Sequence, residues 1–317
     1  MRNRIDLLLR WLQARWLESI MLLGLAGILV WFVLVGRGFL PAPAPTAAPP
    51  TPAIEHFDGG VAYQHVLDQV GFGPRPTGST ASRQTGDYII GQLEAAGWAV
   101  EVQEFTYMAT PARNIIGRAG DGPIVIIGAH YDTRRRADND PDPARRADPV
   151  MGANDGASGV AVLLELARVL DRKALRNQVW LAFFDAEDNG RLDGWEFIAG
   201  SRYMAEHLNV TPAFVIVADM IGDADQQIYQ ERTSTPALQD RVWAIAEQLG
   251  YQDYFLPEAK WSMLDDHTPF LQLGIPALDL IDFDYPYWHT VADTADKVAP
   301  AALERVGRVL ETLLEGG

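Results

Sequence analysis

Residues 177–190 read NQVWLAFFDAEDNG, and this stretch decides the fold class of the chain. The run 179–184 is wholly apolar and has the length of a strand, and three carboxylates, Asp185, Glu187 and Asp188, follow it before a glycine. A strand this apolar is buried on both faces, as in a parallel sheet covered by helices, so its acids emerge at the carboxyl end, where open α/β sheets bind ligands. Adjacent carboxylates at a desolvated strand end require either a cation between them or a proton on one of them, and a solvated acidic turn is the alternative.

The composition restricts the possible partners and ligands. The 317 residues are 48% hydrophobic, which suffices for one large α/β domain or two small ones. A net charge of −16 and a pI near 4.7, without a basic stripe, argue against nucleic acid as a partner. The absence of cysteine excludes disulfides and thiolate metal sites, which leaves His, Asp and Glu as metal ligands.

The amino-terminal part predicts a membrane anchor. Residues 19–36 carry no charge and are almost wholly apolar, which is long enough to cross a hydrocarbon core. The leader 1–18 contains four arginines and only Arg37 follows closely, so the positive-inside rule places the amino terminus in the cytoplasm and the rest of the chain outside. A buried helix of a soluble protein and a cleaved signal peptide are the alternatives.

A spacer separates this anchor from a globular region. Residues 37–53 include PAPAPTAAPPTP, which is typical of a semi-rigid extended linker. From residue 54 to 317, apolar strand-like runs alternate with helical patterns, which predicts an α/β domain built on one sheet covered on both faces. The polar segment 133–150 is predicted to be an exposed loop.

Several separate segments of this domain offer metal ligands. Three apolar strands end in candidate side chains and two loops supply others; the set is His130 and Asp132, Glu187 and Asp188, Asp219, Asp155, and His289. Strand ends that share a sheet edge bring such residues together. Two histidines with several carboxylates and no sulfur suit Zn²⁺ or a similar ion. Any one residue has a simpler explanation; Asp155, for example, precedes a helix and is suited to capping it.

The spacing of these residues also suggests roles. Asp155 lies among small residues and has the backbone room to bridge two metal ions. Asp132, two residues after His130, is placed to accept the other ring N–H and fix the imidazole tautomer. Glu187 stands next to a candidate ligand, and as a free carboxylate it would take a proton from metal-bound water.

Nine short motifs follow one another along the chain: GPRPTGS at 73–79, NIIG at 114–117, GAHYD at 128–132, NDGASG at 154–159, FDAED at 184–188, GSR at 200–202, DMIG at 219–222, DDHTPF at 265–270 and WHT at 288–290. With these motifs in this order, the sequence resembles the co-catalytic zinc exopeptidases, a family that includes bacterial aminopeptidases and the glutaminyl cyclases. Each motif is weak alone, and the ordered set is specific.

The resemblance implies a fold, a ligand set and catalytic residues. The fold is a three-layer α/β/α sandwich around a mixed, mostly parallel, twisted sheet, here preceded by one transmembrane helix. The family pattern implies two zinc ions, with one ion as the possible alternative. His130 and Asp219 would hold one ion, Asp188 and His289 the other, and Asp155 would bridge. Glu187 would be the general base, with Asp132 and Asp265 completing the catalytic set.

The sequence departs from the family pattern at one ligand. The family usually has two consecutive glutamates where this chain has Glu187 and Asp188, so the second carboxylate is one methylene shorter.

Two reactions are compatible with this pattern. The favoured one is aminopeptidase hydrolysis of peptides with a free amino terminus by metal-activated water, and the alternative is cyclisation of N-terminal glutamine to pyroglutamate. Trp195, Tyr287 and Trp288 are the candidate substrate contacts, and ordinary packing is the alternative for the tryptophans. A catalytically inactive binding module on the same scaffold is the third possibility.

Overall fold

The structure is a computed structural model that describes residues 2–36 and 56–316, and the predicted linker 37–53 lies outside the described residues. The chain divides into two compact units, residues 1–54 and 55–317, which are described separately. The described part of the first unit is one helix, α1 (Arg2–Gly36), so the predicted leader and anchor form one element. Within the described ranges, one helical stretch, Asn3–Val35, is long and apolar enough to cross a membrane.

The second unit contains eight strands and seven α-helices in the described residues. The strands are β1 (Ala99–Tyr107), β2 (Thr110–Ala119), β3 (Ile124–His130), β4 (Gln178–Phe184), β5 (Phe214–Asp219), β6 (Ile228–Gln230), β7 (Phe255–Ala259) and β8 (Ala277–Ile281). The helices are α2 (Gly59–Gly71), α3 (Thr80–Ala95), α4 (Ser158–Val169), α5 (Ala199–Glu206), α6 (Pro236–Gln248), α7 (Thr268–Gln272) and α8 (Pro300–Glu315), with a short 3-10 helix at Ala295–Lys297.

Six strands form the central sheet, in the order β1-β2-β4-β3-β5-β8. β3, β4, β5 and β8 run parallel, whereas β1 and β2 are antiparallel additions at one edge. The mixed, mostly parallel sheet predicted from the resemblance is therefore confirmed. β6 and β7 pair in a separate two-stranded sheet.

Both faces of the sheet are buried, and β4 shows why its sequence is apolar throughout. Val179, Leu181 and Phe183 face a core cluster that includes residues of α2, α3, α4, α6 and α8. Trp180 and the alternate side chains after it face a second cluster with residues of α5 and α7. Alternating side chains of one strand thus enter two cores, which makes the domain the predicted three-layer α/β/α sandwich.

One close approach brings the loop before α4 to the sheet edge. A Cβ on Gly159 would lie 2.1 Å from the Ala218 carbonyl oxygen, so a residue with a side chain does not fit there. Because this glycine lets α4 pack directly on β5, the segment that precedes α4 reaches the carboxyl end of β5.

The predicted exposed loop at 133–150 is exposed over 141–147, but it is buried near both of its ends. Thr133, Arg134, Ala137 and Val150 are buried, although the segment contains no helix or strand. The Arg134 guanidinium donates to the carbonyl oxygens of Asp188 (2.8 Å) and Gly190 (2.9 Å). An arginine can be buried when backbone carbonyl oxygens accept its hydrogen bonds, so its polarity alone did not predict its position.

Candidate metal centre

The parallel strands place their ligands at one edge of the sheet. His130, the last residue of β3, is paired with Phe184, the last residue of β4. Asp219 ends β5 opposite Ile281 of β8. The sequence puts polar residues at or just after the ends of β3, β4 and β5, so these three strand ends deliver a carboxylate or imidazole to the same place.

The candidate ligands form two groups that share Asp155. In the first group, His130 Nε2 lies 3.0 Å from Asp219 Oδ1 and 3.2 Å from Asp155 Oδ1. In the second, His289 Nε2 lies 2.7 Å from Asp188 Oδ1 and 3.7 Å from Asp155 Oδ2. Two atoms that bind one tetrahedral zinc at about 2.1 Å are roughly 3.4 Å apart, so both groups fit that geometry.

The chemistry of these residues also fits a cation. Asp155 Oδ2 and Asp188 Oδ2 are buried and have no hydrogen-bond partner within the described chain. Burial raises the pKa of Asp188 to about 6 and also raises the pKa of Asp219. Burial would lower the pKa of His130, but the Asp219 carboxylate beside it raises this pKa well above the usual value. Without a cation, some of these buried carboxylates have to be protonated, and a divalent ion would neutralise their charge instead.

The five predicted ligands therefore lie together, divided between the two groups as the family pattern implied. The number of ions that they bind stays a prediction. Asp155 is not the cap of α4, because the N-cap residue is Ala157, which makes no capping side-chain hydrogen bond. The simpler explanation for Asp155 is thus removed.

Asp132 contacts more than the histidine that suggested its role. Its Oδ1 faces His130 Nδ1 at 3.7 Å, an ion-pair distance longer than a hydrogen bond. Its oxygens accept hydrogen bonds from the backbone N–H groups of Glu187 (2.9 Å) and Asp188 (3.2 Å), and from the hydroxyl of Thr77 (3.0 Å). Asp132 therefore holds the backbone of the acidic pair in place.

Glu187 is placed as a free carboxylate. It belongs to neither ligand group, it is 7% exposed, and it lines the cavity beside them. Burial raises its pKa well above the usual value, with the Asp188 carboxylate adding to the effect and His130 opposing it. A carboxyl group with a raised pKa can accept and return a proton near neutral pH. Asp265 lines the same cavity, and burial raises its pKa to about 7.

Three residues without glycine's freedom adopt left-handed backbone conformations at the site. They are Ala186 (φ 61°), which precedes Glu187, Met220 (φ 46°), which follows Asp219, and His289 itself (φ 57°). Each such residue costs roughly 1–2 kcal/mol relative to an ordinary conformation. Strained backbone of this kind is typical of functional sites, and here it flanks Glu187 and Asp219 and includes His289.

A network that the sequence analysis missed connects three ligand loops. The Asp293 carboxylate accepts hydrogen bonds from the backbone N–H groups of Asn154 (2.9 Å) and Asp155 (3.1 Å), and from the Tyr285 hydroxyl (2.7 Å). The Asn154 side-chain oxygen in turn accepts from the backbone N–H of Gly222 (2.8 Å). The only signal in the sequence was an aspartate four residues after His289.

A buried arginine supports the same loops from behind. Arg75 is fully buried and donates to the carbonyl oxygens of Tyr131 (3.2 Å), Met151 (2.9 Å) and Gly152 (2.7 Å). Burial lowers the pKa of Arg75 to about 10, and the surrounding carboxylates, led by Asp293, limit that drop. The arginine of the first sequence motif is therefore a structural support for the loop that carries Asp155.

A cavity of about 370 Å³ opens over the two ligand groups. Its apolar wall is made of Met220, Trp261, Met263, Leu264, Ile281, Phe283, Trp288 and Phe197. Trp288 stacks on the His289 ring with 3.8 Å between centroids, and Phe197 lies nearly parallel to the same ring at 6.4 Å. The wall thus fixes the orientation of the imidazole.

Two of the predicted substrate contacts lie elsewhere. Trp195 is outside the cavity lining and packs edge-on against Tyr107, with centroids 5.2 Å apart. Tyr287 is also outside the lining and packs edge-on against Tyr285 at 5.4 Å. Trp288 alone of the three predicted aromatic residues lines the cavity, and substrate contact by any of them stays a prediction.

Comparison with known proteins gives a consistent family. The sequence pattern of peptidase family M28 matches residues 114–314. A glutaminyl-peptide cyclotransferase-like protein of Mus musculus is 27% identical over 282 residues, which cover 76% of this chain and 71% of that protein.

Two solved structures show the same architecture. A zinc-dependent exopeptidase from Parabacteroides distasonis is 32% identical, with a TM-score of 0.78 over 84% of this chain and 100% of its own. The glutaminyl cyclase of Bacteroides thetaiotaomicron, bound to N-acetylhistamine, is 33% identical, with a TM-score of 0.78 over 83% of this chain and 99% of its own.

Proposed function

The chain belongs to peptidase family M28, and on that premise we propose that it is a zinc-dependent glutaminyl-peptide cyclotransferase. The observation that carries this proposal is the likeness to cyclases in both sequence and structure, over nearly the whole of the solved bacterial cyclase. The sequence alone favoured aminopeptidase hydrolysis, and these comparisons support its alternative, cyclisation, better. They leave the fold and the family prediction unchanged.

The proposed reaction joins two groups of one substrate residue. The α-amino nitrogen of an N-terminal glutamine attacks the carbon of its own side-chain amide, the bond from that carbon to the amide nitrogen breaks, and ammonia leaves. Glu187 accepts the proton that the attacking amine loses and returns it to the departing nitrogen. Its burial and raised pKa support this shuttle.

The residues present would hold the metal that this reaction needs. Asp155 and Asp188 with His289 form the group nearest the aromatic wall, and a zinc ion bound there would polarise the amide carbonyl. The aromatic side chains Trp261, Phe283 and Trp288 would limit the access of water to the reacting amide. Asp265 on the cavity lining is proposed to hold the substrate's amino group.

Hydrolysis is the second candidate, and one observation favours it. The two ligand groups share Asp155, which has one oxygen facing each histidine, an arrangement suited to a bridged pair of ions. The similarity to a zinc-dependent exopeptidase supports the same possibility. In that case water is the nucleophile, and Glu187 moves its proton to the leaving amine.

One two-substrate assay separates these functions. The full-length, zinc-loaded protein is incubated with peptides that begin with glutamine and with aminoacyl chromogenic amides. Release of ammonia with formation of pyroglutamate supports cyclisation, and release of free amino acid or chromophore supports hydrolysis. Neither product in the presence of zinc would overturn both proposals and leave the inactive binding module.

We also propose that the enzyme is anchored in a membrane with its catalytic domain on the extracytoplasmic side. The apolar helix Asn3–Val35 and the arginines at positions 2, 4, 10 and 15 support this orientation. Because the chain contains no cysteine, a single Thr46→Cys substitution in the linker gives a unique label site. Labelling of intact cells by a membrane-impermeant maleimide supports the orientation, and labelling only after lysis contradicts it.

A further inference from the structure

The polar lining of the cavity is strongly unbalanced in charge. Five carboxylates line it: Asp155, Glu187, Asp188, Asp219 and Asp265. Among the described residues, the single arginine or lysine of the lining is Arg191. In a chain with a net charge of −16, this cation at the mouth of the cavity differs in charge from the acidic residues around it.

Arg191 is held at the rim of the cavity by an unusual backbone. It occupies a left-handed conformation (φ 64°) in the turn after Gly190, and its N–H donates to the Trp195 carbonyl oxygen (2.8 Å). The side chain is exposed, and no ion pair between described residues includes its guanidinium. The charge of Arg191 is therefore free for a ligand.

Aromatic contacts measure how far this charge lies from the reacting groups. The guanidinium carbon is 6.0 Å from the centroid of the Phe197 ring, and that centroid is 6.4 Å from the centroid of His289. Arg191 is thus at most about 12 Å from the imidazole of the metal centre. An extended peptide advances about 3.4 Å per residue, so two or three residues of substrate, with a side chain, cover this distance.

Other arginines near the same turn strengthen its positive character. Arg135 and Arg136 both pair with Asp193, at 3.8 Å and 2.8 Å. Arg135 also lies over the Trp195 ring at 4.3 Å. Two arginines share one carboxylate there, so Arg135, Arg136 and Arg191 together with Asp193 have a net charge of +2.

We propose that Arg191 forms an anion subsite that selects peptides with an acidic residue at the second or third position after the N-terminal glutamine. This inference rests on the proposed function, since it names the substrate class of the same site. The amino end of such a peptide enters the acidic floor, and the side-chain carboxylate that follows meets the guanidinium at the rim. Arginine suits this role because its planar donors match a carboxylate.

The test compares matched peptides on the full-length, zinc-loaded protein. Peptides with glutamate, glutamine or lysine at the second position, and a second series varied at the third, all carry an amidated carboxyl terminus. We expect kcat/KM to be about two- to five-fold higher for the glutamate peptide than for the glutamine peptide, which is the range of exposed ion pairs. The lysine peptide is expected to be the poorest, and salt at about 0.5 M should shrink the differences.

Variants identify the residue responsible. Arg191→Gln should bring the glutamate-to-glutamine ratio of kcat/KM close to one, mainly through KM, and Arg191→Lys should give an intermediate ratio, because it keeps the charge and loses the planar donors. Arg202→Gln is the matched control, because Arg202 is another arginine near the surface, which pairs with Glu196 outside the cavity lining. The control should keep the wild-type ratio. A wild-type ratio at or below one in both series, or a preference that survives in Arg191→Gln, would overturn the subsite.

Failure of the subsite and failure of the reaction give different results. If no peptide releases ammonia, the cyclase proposal fails, and equilibrium binding of the same peptides still reports on Arg191. Tighter binding of the glutamate peptide that disappears in Arg191→Gln supports the subsite, and equal binding overturns it.

Discussion

The Asp293→Asn substitution tests whether one carboxylate organises the metal centre from outside it. Asp293 Oδ1 accepts from Asn154 N–H and the Tyr285 hydroxyl, and Oδ2 accepts from Asp155 N–H. Asparagine keeps one oxygen acceptor, and its amide turns a donor toward the remaining buried N–H. A buried donor without a partner costs about 1–3 kcal/mol, and the charge-assisted bonds that remain become weaker. We expect a loss of about 2–4 kcal/mol in unfolding free energy.

The same substitution should weaken zinc binding without touching a ligand. Asp155 loses the bond that fixes its backbone, and partners of this kind typically change metal affinity 10- to 100-fold. Urea unfolding and competition with a zinc chelator are measured at pH 8, above the pKa of about 7 to which burial and the Asp155 charge raise Asp293.

Asp296→Asn is the control, because Asp296 is an exposed carboxylate three residues away that pairs with Lys297. It should change the unfolding free energy by less than about 1 kcal/mol and leave zinc affinity unchanged. If Asp293→Asn behaves like this control, the network does not position Asp155, and the reasoning is refuted.

Three further predictions concern catalysis, metal dependence and acid stability. Glu187→Gln should retain zinc and lose about 10²- to 10⁴-fold in kcat, whereas Glu196→Gln, a surface change, should not. Chelation of the metal should abolish turnover and lower the Tm, and zinc should restore both. Hydrogen bonds from His267, Met263 and Thr233 outweigh burial and lower the pKa of Glu231 to about 2. Its stabilisation is complete above about pH 5 and is lost as the pH falls toward 2, so acid unfolding of Glu231→Gln should depend less on pH in this range.

Each of these predictions has a contrary outcome. Turnover unchanged in Glu187→Gln would remove the proton shuttle. Activity that persists after complete metal removal would exclude zinc from the reaction. Parallel acid-unfolding curves for the wild type and Glu231→Gln would show that Glu231 has an ordinary pKa in the fold.

The sequence predicted the features that depend on periodicity and strand ends. β4 was evident because burial on both faces requires an unbroken apolar run, and its acids therefore had to emerge at the ligand edge. His130 and Asp219 could be placed for the same reason. His289 was a candidate only as a histidine in a loop and through its motif, because that loop has no periodic pattern that would place it.

Other features depended on tertiary contacts that no local pattern records. β6 has three residues and β7 contains Pro257, so neither shows the alternation that identifies a strand. The polarity of Arg134 predicted an exposed side chain, yet its guanidinium donates hydrogen bonds to backbone carbonyls inside the domain. Asp293 resembled any loop aspartate until its three donors were known.

The left-handed backbone at Ala186, Met220 and His289 has a consequence for engineering. Glycine adopts such a conformation freely, so Ala186→Gly relieves local strain while removing a constraint on the residue that follows. A laboratory selection for heat resistance would therefore select substitutions in these turns early. Every thermostable clone with a change there has to be screened for turnover before it becomes the parent of the next round.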